Sequence, residues 1–142
     1  MDPFPTVILL ATDGSEEAWI ASQMAAGIAD GTGSELHLVY VGGTGGADPR
    51  VYEQMRQSSR ELLDELAEKM RDAGAKITKK HLRNGRPDQE IVALAEELGA
   101  GLIVMGGRGL GRMKRALMGS VSDSVVRHAH CPVLVARGSL LR

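Results

Sequence analysis

Apolar residues gather in five short runs, and between them the pattern changes to helical spacing. "TVILLA" at 6–11 has no alternating polar residue, so it reads as a strand buried on both faces. After the turn residues "TDGS", Ala18, Ala21, Met24, Ala25 and Ile28 recur at helical spacing. This helix starts near Ser15, carries Glu16 and Glu17 at its positive end and closes at Asp30-Gly31. "ELHLVYV" at 35–41 is the second strand and runs into the glycine-rich "GGTGGADPR". Asp48 caps and Pro49 opens a long helix, with Met55, Leu62, Leu63, Leu66 and Met70 inward and Gly74 as its stop.

"KITKKHL" at 76–82 is a weaker strand whose three lysines suit an exposed sheet edge. Following the Asn84-Gly85 turn, Pro87 opens a helix with Ile91, Leu94, Ala95 and Leu98 on one face and Gly99 as its stop. "LIVM" at 102–105 is a fully apolar strand. Ser120 starts a short helix with Val121, Val125 and Ala129 on one side and Arg127 and His128 at its negative end; "PVLVA" at 132–136 is the last strand. Regular alternation of strand and helix predicts an α/β, doubly wound, open parallel sheet, because right-handed crossovers force successive strands parallel.

Composition narrows this picture without changing it. With 142 residues, 43% hydrophobic and 25% charged, the chain suits one globular domain over 1–142. A net charge of −1 gives no global field to attract nucleic acid, so no nucleic-acid partner is expected. Cys131 has no second cysteine to pair with and is expected to act as a small buried hydrophobe. The first apolar run lacks a basic leader and is too short for a bilayer, so neither membrane association nor export is expected, and the location expected is cytoplasmic. Trp19 and the methionines are assigned to packing, and His128 and His130 to capping or surface roles, since no acidic or cysteine cluster accompanies them.

Candidate chemistry lies where strands end. In an open parallel sheet, ligands bind beyond the carboxyl ends of strands where the crossovers diverge. "ATDGS" sets Asp13 after the first strand, and "VMGGRGLG" sets Gly106, Gly107 and Gly109 after the fourth. Glycines let backbone N–H groups approach an anion, and Arg108, Arg112, Lys114 and Arg115 add positive charge. At Gly119-Ser120 the chain enters a helix whose first-turn N–H groups and Ser120 hydroxyl can meet phosphate. Asp13, an acceptor, suits the two ribose hydroxyls. A solvated basic turn and a helix-capping Asp13, with Glu16 three residues on, are the plainer alternatives. Neither GxxxxGK[ST] nor GxGxxG occurs, which argues against a P-loop NTPase and a dinucleotide enzyme.

The end of the first strand, "ATDGS", the run "LIVMGGRGLGRMKRALMGSVSDSVVRHAHCPVLVAR" and the spacing Gly106-x2-Gly109-x9-Gly119-Ser120 resemble the ATP-binding branch of the universal stress protein family over essentially the whole chain. The resemblance implies strand order 3-2-1-4-5 and a homodimer paired through the last strand, Pro132 to Ala136. It also implies ATP as ligand, with or without Mg²⁺. Adenine would lie at Val41 and Thr12, ribose at Asp13, and the phosphates over Gly106, Gly109, Gly119, Ser120, Val121 and Ser122. Ser15 and Met105 would border the site, and Arg108 would contact phosphate. A nucleotide-dependent regulatory module in stress response is expected, with no catalytic residue assigned. A slow ATPase or nucleotidyl transferase and a nucleotide-free dimeric scaffold are the alternatives.

Overall fold

The computed structural model describes residues 6–43, 48–108 and 119–138. In chain order these form β1 (Val7–Ala11), α1 (Glu16–Thr32), β2 (Glu35–Gly42), α2 (Pro49–Asp72), β3 (Lys79–Asn84), α3 (Pro87–Leu98), β4 (Leu102–Gly106), α4 (Ser120–His128) and β5 (Val133–Ala136). The five strands make one sheet in the order β3-β2-β1-β4-β5, and every neighbouring pair is parallel. Among the described residues no helix is long and apolar enough to cross a membrane.

The apolar β1 run is divided by its pleat. Ile8 and Leu10 join Ala21, Ala25 and Ala29 of α1 and Leu63, Ala67 and Met70 of α2 on one side of the sheet. Leu9 and Ala11 join Ile91, Leu94 and Ala95 of α3 and Val125 of α4 on the other. Helices therefore cover both faces, which is why β1 tolerates no alternating polar residue. Crossovers leave toward β2 on one side of β1 and toward β4 on the other, and the carboxyl ends of β1 and β4 diverge around a crevice.

Some local expectations shift, each for a visible reason. β3 begins at Lys79, not residue 76, because Thr78 still serves as a joint: its N–H donates to Leu36 O and its Oγ1 accepts from Leu36 N–H. The third strand then continues through Asn84, while Ile77 packs against the core. α1 runs past Asp30-Gly31 to Thr32, where Gly33 at φ 73° supplies the left-handed cap. Its buried face passes through Ala18, Ala21, Ser22, Ala25 and Ala29, leaving Met24 exposed. Met55 is also exposed, since α2 contributes to the core farther along, from Leu63.

Pro132 lies just before β5, although its carbonyl accepts from Ile103 N–H. The α1 N-cap is Ser15, whose Oγ accepts from Ala18 N–H; Asp13 does not cap it and instead accepts the Ser15 N–H at 2.9 Å through Oδ1. Trp19 is half-buried under the ammonium of Lys69, 4.3 Å from its ring centre. Cys131 is partly buried, and that burial pushes its thiol up. His128 Nδ1 donates to Ser124 O, while His130 pairs with Glu96.

Candidate functional site

The crevice between β1 and β4 encloses a cavity of about 290 Å³. Its apolar wall is built from Val39 and Val41 of β2, Ile91 of α3 and Met105 of β4, and Thr12 and Asp13 form its polar rim. The residues 106–108 that leave β4 and the first turn of α4, residues 119–122, line it as well. An apolar slot lined by both a carboxylate and backbone donors suits a ligand with a flat apolar part, hydroxyls and an anionic group.

The donors are set by the helix itself. Gly119 is the N-cap of α4 and supplies no side chain, so helix geometry leaves the N–H groups of Ser120, Val121 and Ser122 without intrahelical acceptors. Gly107 O ties this turn to the end of β4, accepting from Gly119 N–H at 2.5 Å and from the buried Ser122 hydroxyl at 2.6 Å. Gly107 is thus held to Gly119 and Ser122 beside the cavity.

Gly106 is glycine for a packing reason. A Cβ there would stand 2.9 Å from both Ala18 N and Glu17 C, so the close approach of α1 to β4 demands its absence. At Gly107 a Cβ would meet Arg137 Cγ at 3.0 Å and Val135 Cγ1 at 3.1 Å. Two glycines read for anion access are therefore also the seam between helix and sheet.

At this seam Glu17 is buried, 4% exposed, and fully engaged. Its Oε1 accepts the Arg108 backbone N–H at 2.9 Å. Its Oε2 accepts Arg108 Nη2 at 2.7 Å, Arg108 Nε at 3.1 Å and the Gly138 N–H at 2.9 Å. Burial pushes the Glu17 carboxyl up, but the Arg108 side chain, the two backbone donors and the Arg108 charge together hold it below the ordinary value.

Ten of the twelve residues nominated from sequence line this one cavity: Thr12, Asp13, Val41, Met105, Gly106, Arg108, Gly119, Ser120, Val121 and Ser122. Ser15 is instead occupied in capping α1, and Gly109 lies outside the described residues, as do Arg112, Lys114 and Arg115. Arg108 lines the cavity with its guanidinium on Glu17. In the sequence Glu17 reads as a helix-start acid with no role in the site. Its spacing with Ala21 and Ala25 on one helix face was the available signal of burial. Ile91 and Pro87 were likewise read only as core and helix opener, yet both line the cavity. Among the described residues no group of three or more His, Cys, Asp or Glu is arranged to hold a metal ion.

Comparison with known proteins agrees with this architecture. The sequence matches the universal stress protein family over residues 6–137. A universal stress protein homologue of Staphylococcus aureus (strain USA300) is 38% identical, with 92% of this chain and 82% of that protein covered. A universal stress protein solved in complex with cAMP is similar at a TM-score of 0.77 and 26% identity, covering 95% of this chain and 99% of that one. The universal stress protein from Archaeoglobus fulgidus in complex with dAMP is similar at a TM-score of 0.70 and 25% identity, covering 94% and 98%. With a family match across nearly all of its length and the family's sheet order in its fold, this chain belongs to the universal stress protein family.

Proposed function

We propose that the protein binds an adenine nucleotide, ATP in the first instance, and acts as a nucleotide-dependent regulatory homodimer in the cytoplasm. The observation that carries this reading is the placement of Asp13 and the first turn of α4, whose N–H groups have no intrahelical acceptors, on one apolar-walled cavity. Adenine would fill the slot between Val41, Ile91 and Met105. Ribose hydroxyls would donate to Asp13, and the phosphates would accept from residues 119–122. Two similar proteins, in complex with cAMP and dAMP, support an adenine nucleotide as the ligand class.

Binding is favoured over turnover. The carboxylate in the described cavity wall is Asp13, and its use on the ribose leaves that wall without a second acid to orient an attacking group. Mg²⁺, when present, would ride on the phosphates. Dimerisation through β5 is supported by its position at the open edge of the sheet with an uncharged sequence, a surface that favours pairing with a second copy.

The direct test is chemical. Acid release from freshly purified protein, followed by mass identification, should yield an adenine nucleotide. Release of a ligand of another class would overturn the reading.

A further inference from the structure

We infer that Glu17 is a specificity-determining residue of the nucleotide site: by holding Arg108 it cancels the cation at the β4 side of the cavity and so lowers the preference of the site for the more highly charged nucleotide. This rests on the nucleotide reading above and adds to it a residue that touches no ligand. Arg108 lines the same cavity as residues 119–122, where the phosphates are proposed to lie. Yet its Nε, Nη2 and backbone N–H are all committed to the buried Glu17 carboxylate. Glu17 is further fixed by Gly138 N–H, so the acceptor does not move with Arg108.

An ion pair of this kind is electrostatically close to silent at a distance, whereas either partner alone is not. Removing Glu17 frees a positive charge beside the phosphates. Removing Arg108 uncovers a negative one. ATP carries about two more negative charges than AMP, so each change acts on ATP more than on AMP. A merely structural role for Glu17 would weaken both nucleotides alike, and a direct phosphate contact by Arg108 would make its loss harmful even without Glu17.

The experiment measures dissociation constants for AMP and ATP with wild type, Glu17→Gln, Arg108→Gln and the double variant, each checked for folding by circular dichroism. Glu17→Gln should raise the preference for ATP over AMP by about fivefold, Arg108→Gln should lower it by about as much, and the double variant should return within about twofold of wild type. Equal weakening of both nucleotides by Glu17→Gln, or a double variant that keeps the defect of Arg108→Gln, overturns the inference while wild-type binding upholds the nucleotide reading. Silence from all four proteins overturns both. A second measurement needs no variant: the Arg108 Nε–H resonance of wild type should keep its shift when ATP saturates the site. Its displacement to a phosphate-bonded shift would overturn the inference even if Glu17→Gln failed to fold.

Discussion

Glu17 and Arg108 stand 91 residues apart in sequence and are joined by three hydrogen bonds, the shortest 2.7 Å from Arg108 Nη2 to Glu17 Oε2. The contact fastens the first turn of α1 to the segment that leaves β4, while Gly138, two residues past β5, donates to the same carboxylate. The segments that follow β4 and β5 thus converge on one buried side chain at the start of α1.

That convergence should be visible in pH dependence. The Glu17 carboxyl is held below its ordinary value of 4.5, so its stabilising contribution is present above that pH and is lost as pH falls through the folded value. Glu17→Gln does not titrate there. We expect it to cost about 1.5–3 kcal/mol at neutral pH, the range for hydrogen bonds to a charged group, and the gap to wild type to shrink below pH 4.5. Urea unfolding across a pH series measures it, and a gap that stays constant would contradict the account.

The glycine at this seam and an exposed glycine of α1 should respond oppositely. Gly106→Ala would drive a methyl into the α1 backbone and should destabilise by about 1–3 kcal/mol. Gly27, inside α1 with nothing within 4 Å of a built Cβ, should instead gain about 0.5–1 kcal/mol on replacement by Ala. Denaturation midpoints of the two variants decide the matter, and equal effects would refute the packing argument.

Ser122 offers a local readout at the phosphate end. Its hydroxyl donates to Gly107 O, which also accepts from Gly119 N–H. Ser122→Ala should cost about 0.5–1.5 kcal/mol and accelerate hydrogen exchange at the Gly119 amide. Unchanged protection there would mean that the hydroxyl does not hold this turn.

The β5 edge makes a separate prediction. Carbonyls of Pro132 and Ala136 accept from Ile103 and Gly107, so ladder alternation directs the backbone groups of Val133 and Val135 toward the open side. Val135→Pro removes one outward donor and spares the β4 pairing. Sedimentation should show a monomer that keeps its circular dichroism spectrum. A persistent dimer would place the interface elsewhere.

Most of the architecture was legible because local patterns coincide with global demands. "TVILLA" lacks polar alternation because both faces of β1 are covered, and Asp48-Pro49 and Gly99 mark helix ends that the fold respects. Strand order was different in kind: it came from family likeness, as periodicity does not say which strands are neighbours. The start of β3 was read early because Lys76 to Thr78 share the composition of the strand, and only pairing to Leu36 distinguishes them. Asp13 was legible as a strand-end carboxylate, and Gly119-Ser120 as a helix entrance. Glu17 was not, because a carboxylate in a first helical turn is ordinarily solvated; its burial depends on Arg108 and Gly138, which no local pattern links to it.

The central claim is that Asp13 and the start of α4 grip the two ends of one nucleotide. Calorimetric titration with ATP of wild type and Asp13→Ala tests it most directly. The account predicts saturable binding near one nucleotide per chain, weakened by about 1–3 kcal/mol in the variant through loss of charge-assisted hydrogen bonds to ribose. Equal affinity in both proteins, or no heat of binding from folded wild type at millimolar ATP, would contradict it.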